Sequence, residues 1–254
     1  MKCARLTLLV CLLISACGQL TAQTNQNRKD AVAANERGVA LVRAERYAEA
    51  VDAFELATKL DSKLAPAHNN NLGAVYNSLG RYEKAIRVLR RAIELAPNYA
   101  EAHYDLGVAL QSMGKYDEAI GAYQRALDFK PDFAQAYSWL GSVYHDRSQR
   151  EYAIRYYEKA IEIDPNSAET YNNLGTAQAE TGRLREAIAN FERAINLKPS
   201  LALAHYNLAT IALRVKKRDV ALSQYAWLAN TKSTFADKLY KLIYQDKVVT
   251  VGAR

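Results

Sequence analysis

Residues 100–133 read AEAHYDLGVALQSMGKYDEAIGAYQRALDFKPDF. Two stretches with helical spacing of apolar residues flank Gly114, and Pro131 closes the unit. The same phrase returns along the chain. Gly107 has counterparts at Gly38, Gly73, Gly141 and Gly175, in steps of 35, 34, 34 and 34 residues, with Ala209 a further 34 on. Pro97, Pro131, Pro165 and Pro199 keep the same interval. A chain that repeats itself this way is a stack of small units, each too small to bury its own apolar face. Such a stack offers a long surface rather than a deep pocket.

With Gly107 set as position 8, the units begin at Ala31, Pro66, Ala100, Ala134, Ala168 and Ala202. Position 7 is Leu72, Leu106, Leu140, Leu174 and Leu208, and position 11 is Leu41, Tyr76, Leu110 or Tyr144, which places both on one face of a first helix. Position 20 is always Ala: Ala50, Ala85, Ala119, Ala153, Ala187 and Ala221. Together with Gly at position 8, it lets the two helices of a unit approach closely. Position 24 is large (Phe54, Leu89, Tyr123, Tyr157, Phe191, Tyr225) and fills the space beside that contact. Ala57, Ala92, Ala126, Ala160 and Ala194 at position 27 let the second helix meet the next unit. Gly80, Gly114 and Gly182 end first helices, where a left-handed backbone suits glycine, and the prolines stop the second.

This pattern closely resembles the tetratricopeptide repeat, over residues 31–235. The resemblance implies an all-α fold: an α-solenoid, a right-handed superhelix, of about six helix-turn-helix repeats at 31–65, 66–99, 100–133, 134–167, 168–201 and 202–235. The terminal repeats depart from the pattern. Arg37 stands at position 7 and Ser62 at the proline position of the first; Ala209, Leu228 and Ser233 replace Gly, Ala and Pro in the last. Terminal units have one face without a neighbour, so such degeneracy is expected. Beyond them, residues 236–254 read as a capping helix and tail: Leu239, Leu242 and Ile243 share a face over 235–246, followed by the β-prone 247–254.

The N-terminus reads as an export signal at 1–17. Lys2 and Arg5 precede an uncharged apolar run, Leu6 to Ala16, too short to span a bilayer. Ile14-Ser15-Ala16-Cys17 resembles the bacterial lipobox, which implies cleavage before Cys17 and lipidation of its thiol. Several acyl chains anchor stably where one does not. All three cysteines, Cys3, Cys11 and Cys17, lie in this segment, so the repeats carry no disulfide. The polar residues 18–30 read as a flexible tether. The expected location is the periplasm or outer membrane if the source is bacterial, and otherwise secreted.

The net charge of +7 is unevenly placed. Residues 6–201 hold 23 basic and 24 acidic side chains, whereas 202–254 hold nine and three. A neutral repeat body is a poor phosphate tracker, so no nucleic-acid partner is expected.

No phosphate-cradling glycine loop, HExxH, CxxC or GxSxG occurs, so no enzyme, cofactor or metal is expected. The histidines, His68, His103, His145 and His205, read as packing residues; His103 and His205 take a position where the family often has Trp. In the family the first helices line the concave surface, and the resemblance places Asn70, Asn71, Tyr104, Asp105, Trp139, Asn172, Asn173, Tyr206 and Asn207 along that groove. Asn both donates to carbonyls and accepts from N–H groups, so a row of such amides suits an extended peptide, with Trp139, Tyr104 and Tyr206 as anchors. Asn at a helix start also caps, and some of these side chains can serve only that purpose. Asn35, Asn70, Glu101 and Tyr104 stand where family members that clamp a terminal carboxylate carry Lys and Arg, so that clamp is absent. The expectation is a lipid-anchored scaffold for protein or peptide partners in assembly of an envelope complex. The alternative is a non-catalytic adaptor for a glycosyltransferase or protease system acting in trans.

Overall fold

The computed structural model describes the backbone at residues 2–61 and 65–244, and side chains from residue 19 onward. Ser62 and the 247–254 tail lie outside the described residues, as does the side chain of Cys17. The chain divides into two compact units, Met1–Phe129 and Lys130–Arg254. Thirteen helices make up the described residues. In the first unit they are α1 (Lys2–Arg43), α2 (Tyr47–Leu60), α3 (Ala65–Ser78), α4 (Tyr82–Leu95), α5 (Ala100–Ser112) and α6 (Tyr116–Phe129). In the second they are α7 (Ala134–Asp146), α8 (Arg150–Ile163), α9 (Ala168–Glu180), α10 (Leu184–Leu197), α11 (Ala202–Arg214), α12 (Arg218–Asn230) and α13 (Phe235–Tyr244). Each odd helix through α11 pairs with the even helix after it, giving the all-α helix-turn-helix solenoid that the repeat implies. Among the described residues no helix is long and apolar enough to cross a membrane.

The pairing rests on one contact repeated five times. A Cβ placed on Gly107 would lie 2.5 Å from the ring of Tyr123. Gly38 meets Phe54, Gly73 meets Leu89, Gly141 meets Tyr157 and Gly175 meets Phe191 in the same way. All five large partners are buried, each contributing about 1.5–3 kcal/mol through removal of its apolar surface from water. In the sixth pair Ala209 supplies the methyl that the others lack. Its partner Tyr225 is only half-buried and lies 5.9 Å from Tyr240 of α13.

The turn inside each repeat is also shared, more widely than its glycines suggest. Gly80, Gly114 and Gly182 have positive φ, and so do Glu45, Ser148 and Lys216 at the same position of the other three repeats. In every case the next residue donates its N–H five residues back, as from Lys115 to Leu110 O at 2.9 Å and from Gln149 to Tyr144 O at 2.8 Å. That is the Schellman closure, which satisfies carbonyls at the helix end. An acidic residue then sits in the first turn of each second helix, where it complements the helix dipole.

The N-terminal segment corrects one expectation. Residues 18–30 are helical, continuous with the first helix of the first repeat, and do not form a flexible tether. Side-chain bonds one turn apart reinforce this stretch: Gln23 Nε2 donates to Asn27 Oδ1 at 2.8 Å, and Gln26 Nε2 to Asp30 Oδ1 at 2.9 Å. Polar composition suggested disorder, but Gln and Arg are good helix formers and no Pro or Gly interrupts 19–37. At the other end α13 packs on α11 and α12 through Leu239 and Ile243, whereas Leu242 is exposed.

Candidate peptide-binding face

Neighbouring first helices are tied to one another by polar side chains. In the first unit Asn71 Nδ2 of α3 donates to Asn35 Oδ1 of α1 at 2.9 Å. Asn77 Nδ2 of α3 donates to the backbone oxygen of Asp105 in α5 at 2.9 Å. The Asn70 side chain hydrogen-bonds the Asp105 carboxylate. Burial raises the pKa of that carboxyl to about 7; the Asn70 amide opposes the rise and the nearby Glu101 charge adds to it. Tyr104 is half-buried, its ring 6.0 Å from that of Tyr123.

In the second unit Asn207 Nδ2 of α11 donates to Asn172 Oδ1 of α9 at 3.0 Å and lies 3.4 Å from Thr176 Oγ1. Asn172 Nδ2 in turn donates to Asn173 Oδ1 at 3.4 Å. Between α7 and α9 the Ser138 and Thr170 hydroxyls meet at 3.1 Å, and Ser167 and Thr170 at 2.8 Å. Tyr206 stacks on Phe235 with centroids 5.1 Å apart. Trp139 is 37% exposed.

The candidate residues therefore fall into two groups. Asn70 and Asn172 are buried, and their amides join neighbouring first helices rather than facing outward. Asn71, Tyr104, Asp105, Asn173, Tyr206 and Asn207 are half-buried, and Trp139 is the exposed member. Sequence reasoning missed the hydroxyl ties at Ser138, Thr170 and Thr176, which fill positions no family consensus marks. It also missed the raised Asp105 carboxyl, whose main cause is burial, which residue spacing does not show.

Three of the four histidines pack, whereas His145 Nε2 lies 3.1 Å from Glu180 Oε2. His103 Nε2 lies 2.8 Å from Pro97 O, and His205 Nε2 lies 3.0 Å from Pro199 O. A carbonyl only accepts, so each ring donates there, tying a first helix to the turn before it. His205 also stacks on Trp227 at 3.7 Å. Burial lowers the pKa of His68, favouring its neutral form. Among the described residues no group of three or more His, Cys, Asp or Glu is placed to hold a metal ion.

A tetratricopeptide repeat family model matches residues 63–132 and 132–200, and a second matches 172–230. The chain belongs to the tetratricopeptide repeat family. Repeats of this family generally bind protein partners. Among solved structures the chain is similar to Pseudomonas aeruginosa PilF, at 16% identity and TM-score 0.73 over 85% of this chain and 98% of that one. It is also similar to MamA, at 30% identity and TM-score 0.55 over 65% of this chain and 96% of that one. A third likeness is to the Cut9–Hcn1 hetero-tetramer of the APC/C, at 20% identity and TM-score 0.76. It covers 89% of this chain and 46% of that one. The likenesses at 16% and 20% carry the fold alone. No curated protein matches the chain.

Proposed function

We propose that the protein is an exported, lipid-anchored scaffold that holds an extended peptide or protein partner along its first-helix faces and serves in assembly of an envelope complex. The observation that carries the binding reading is Trp139, an indole 37% exposed on a first helix, next to Ser138, whose hydroxyl is already paired with Thr170 of α9. A large aromatic left facing water beside satisfied neighbours has the character of an interface anchor. Asn71 and Asn207, each with Nδ2 engaged toward a neighbouring Asn, keep Oδ1 for a peptide N–H, and Asn173, whose Oδ1 is engaged, keeps Nδ2 for a peptide carbonyl.

The export reading rests on the lipobox at Ile14–Cys17 behind its apolar run. Cleavage before Cys17 leaves helical residues 18–30 between the anchor and the first repeat. At 1.5 Å per residue this is a stalk of roughly 20 Å, which sets the repeats off from the bilayer surface.

Two experiments test the two halves separately. A pull-down with the mature protein is compared with an Asn71→Ala, Trp139→Ala, Asn173→Ala triple variant. Loss of the same partner supports the first-helix face, and its retention removes that assignment. For the anchor, Cys17→Ser is expected to abolish lipid modification and release the protein from the membrane fraction. An unchanged mature mass and membrane fraction contradicts anchoring.

A further inference from the structure

In the second unit a cleft of about 140 Å³ opens between the first turns of α7 and the α8–α9 connection. Trp139 forms one side, and Asp164 and Glu169 the other. Its hydroxyls are spent: Ser138, Thr170 and Ser167 bond one another, and Thr170 is buried. Two carboxylates remain, in different states. Glu169 Oε1 accepts from Lys198 Nζ at 2.7 Å, and that bond lowers the Glu169 pKa, so its charge is largely answered within the protein. Asp164 Oδ1 accepts only the Asn166 N–H at 3.0 Å, which leaves Oδ2 without a protein partner among the described residues.

We infer that this cleft is the specificity pocket of the peptide-binding face and takes a basic side chain, lysine or arginine, of the bound chain. The inference rests on the first-helix face being the binding surface. An indole face attracts a cation, most strongly where water is partly excluded, and the Asp164 carboxylate supplies the counter-charge. The methyls of Ala134 and Ala160 also line the cleft and suit the aliphatic stem of such a side chain. An acidic or phosphorylated residue meets Asp164 and the rim carboxylate of Glu169, so the same surface rejects it.

The probe is a positional-scanning library of blocked decapeptides, with binding to the full chain read by array fluorescence. Lys or Arg at one register position is expected to bind about tenfold more tightly than Gln there. Asp164→Asn keeps the bond from Asn166 and removes the charge. It should erase that preference while peptides lacking a basic residue bind as before. Trp139→Ala should erase the preference and, because the indole anchors the binding face, also weaken peptides lacking a basic residue. Asp164→Lys should invert the preference toward Asp and Glu at the same register. Thermal melts of all three variants check that the fold is retained. A library that binds without basic preference, or a preference that survives these variants, overturns the pocket and leaves the binding face standing. Failure of every peptide to bind the unmutated chain overturns the binding face, and the pocket with it.

Discussion

The seam between the two helices of a repeat and the outward face of the first helix belong to the same elements, yet they follow different rules. At the seam one solution recurs: glycine against a buried Phe, Leu or Tyr sixteen residues on, five times over. On the face the equivalent position is freer: Glu36, Asn71, Asp105, Trp139, Asn173 and Asn207. The seam repeats because five of the six pairs solve the same packing problem, in which a single added methyl has no room; the sixth carries that methyl at Ala209. The face varies more because its contacts to neighbouring first helices are hydrogen bonds, such as Asn71–Asn35 and Asn207–Asn172, which more than one polar side chain can make, rather than close packing. Periodicity therefore marks what folds the chain, and its interruption marks where a partner can be read.

This contrast can be broken most forcefully at the seam. Tyr123→Ala empties a fully buried site and is expected to cost about 3–5 kcal/mol in chemical denaturation. Gly107→Ala forces a methyl against that ring and should cost about 1–3 kcal/mol. The reverse change at the sixth pair, Ala209→Gly, should shift stability by less than about 1 kcal/mol, because Tyr225 is already half-buried. Equal effects at 107 and 209 would show that the Gly–aromatic contact does not set the seam.

The face is expected to respond to pH where the seam does not. The Asp105 carboxyl ionises near 7 in the fold against about 3.8 for an unperturbed Asp. Its stabilising contribution is complete below about pH 4 and is lost as pH rises through 7. Asp105→Asn should therefore stabilise the protein at pH 8 by about 1–2 kcal/mol, allowing for water reaching the site, and leave it unchanged near pH 4. Denaturation curves of both proteins across that range measure the difference, and a pH-independent effect would contradict this account of the site.

Smaller effects separate turn from face. Ser148→Gly should stabilise by about 1 kcal/mol by relieving a left-handed backbone, and Gly114→Ala should destabilise by a similar amount. Trp139→Ala should cost about 1 kcal/mol, less than the seam changes, because the residue is 37% exposed and lies outside the buried core.

The seam was legible in the sequence down to individual residues, because close packing permits few side chains at Gly107, Ala119 and Tyr123. The turns were half legible. Glycine announced three of them, but Glu45, Ser148 and Lys216 adopt the same backbone because the Schellman bonds and the helix packing around them impose it. The face was legible only as a surface. Register placed Asn70, Asn71, Asn172 and Asn173 side by side, and the fold buries Asn70 and Asn172 while leaving Asn71 and Asn173 half-buried. Hydrogen bonding does not separate the pairs, because Asn71 is tied to Asn35 of α1 as Asn172 is to Asn207 of α11. Residues 18–30 misled for another reason. Their polarity says that they bury little, and it does not prevent a helix already continued from the first repeat.

Backbone hydrogen exchange with and without a bound decapeptide from the library tests the central claim most directly, because it reports each helix separately. Binding on the first-helix face predicts added protection in α3 and α5 of the first unit and in α7, α9 and α11 of the second, with little change in their second-helix partners. Protection concentrated in α4, α6, α8, α10 and α12 would contradict the account and move the binding surface to the opposite side of the repeats.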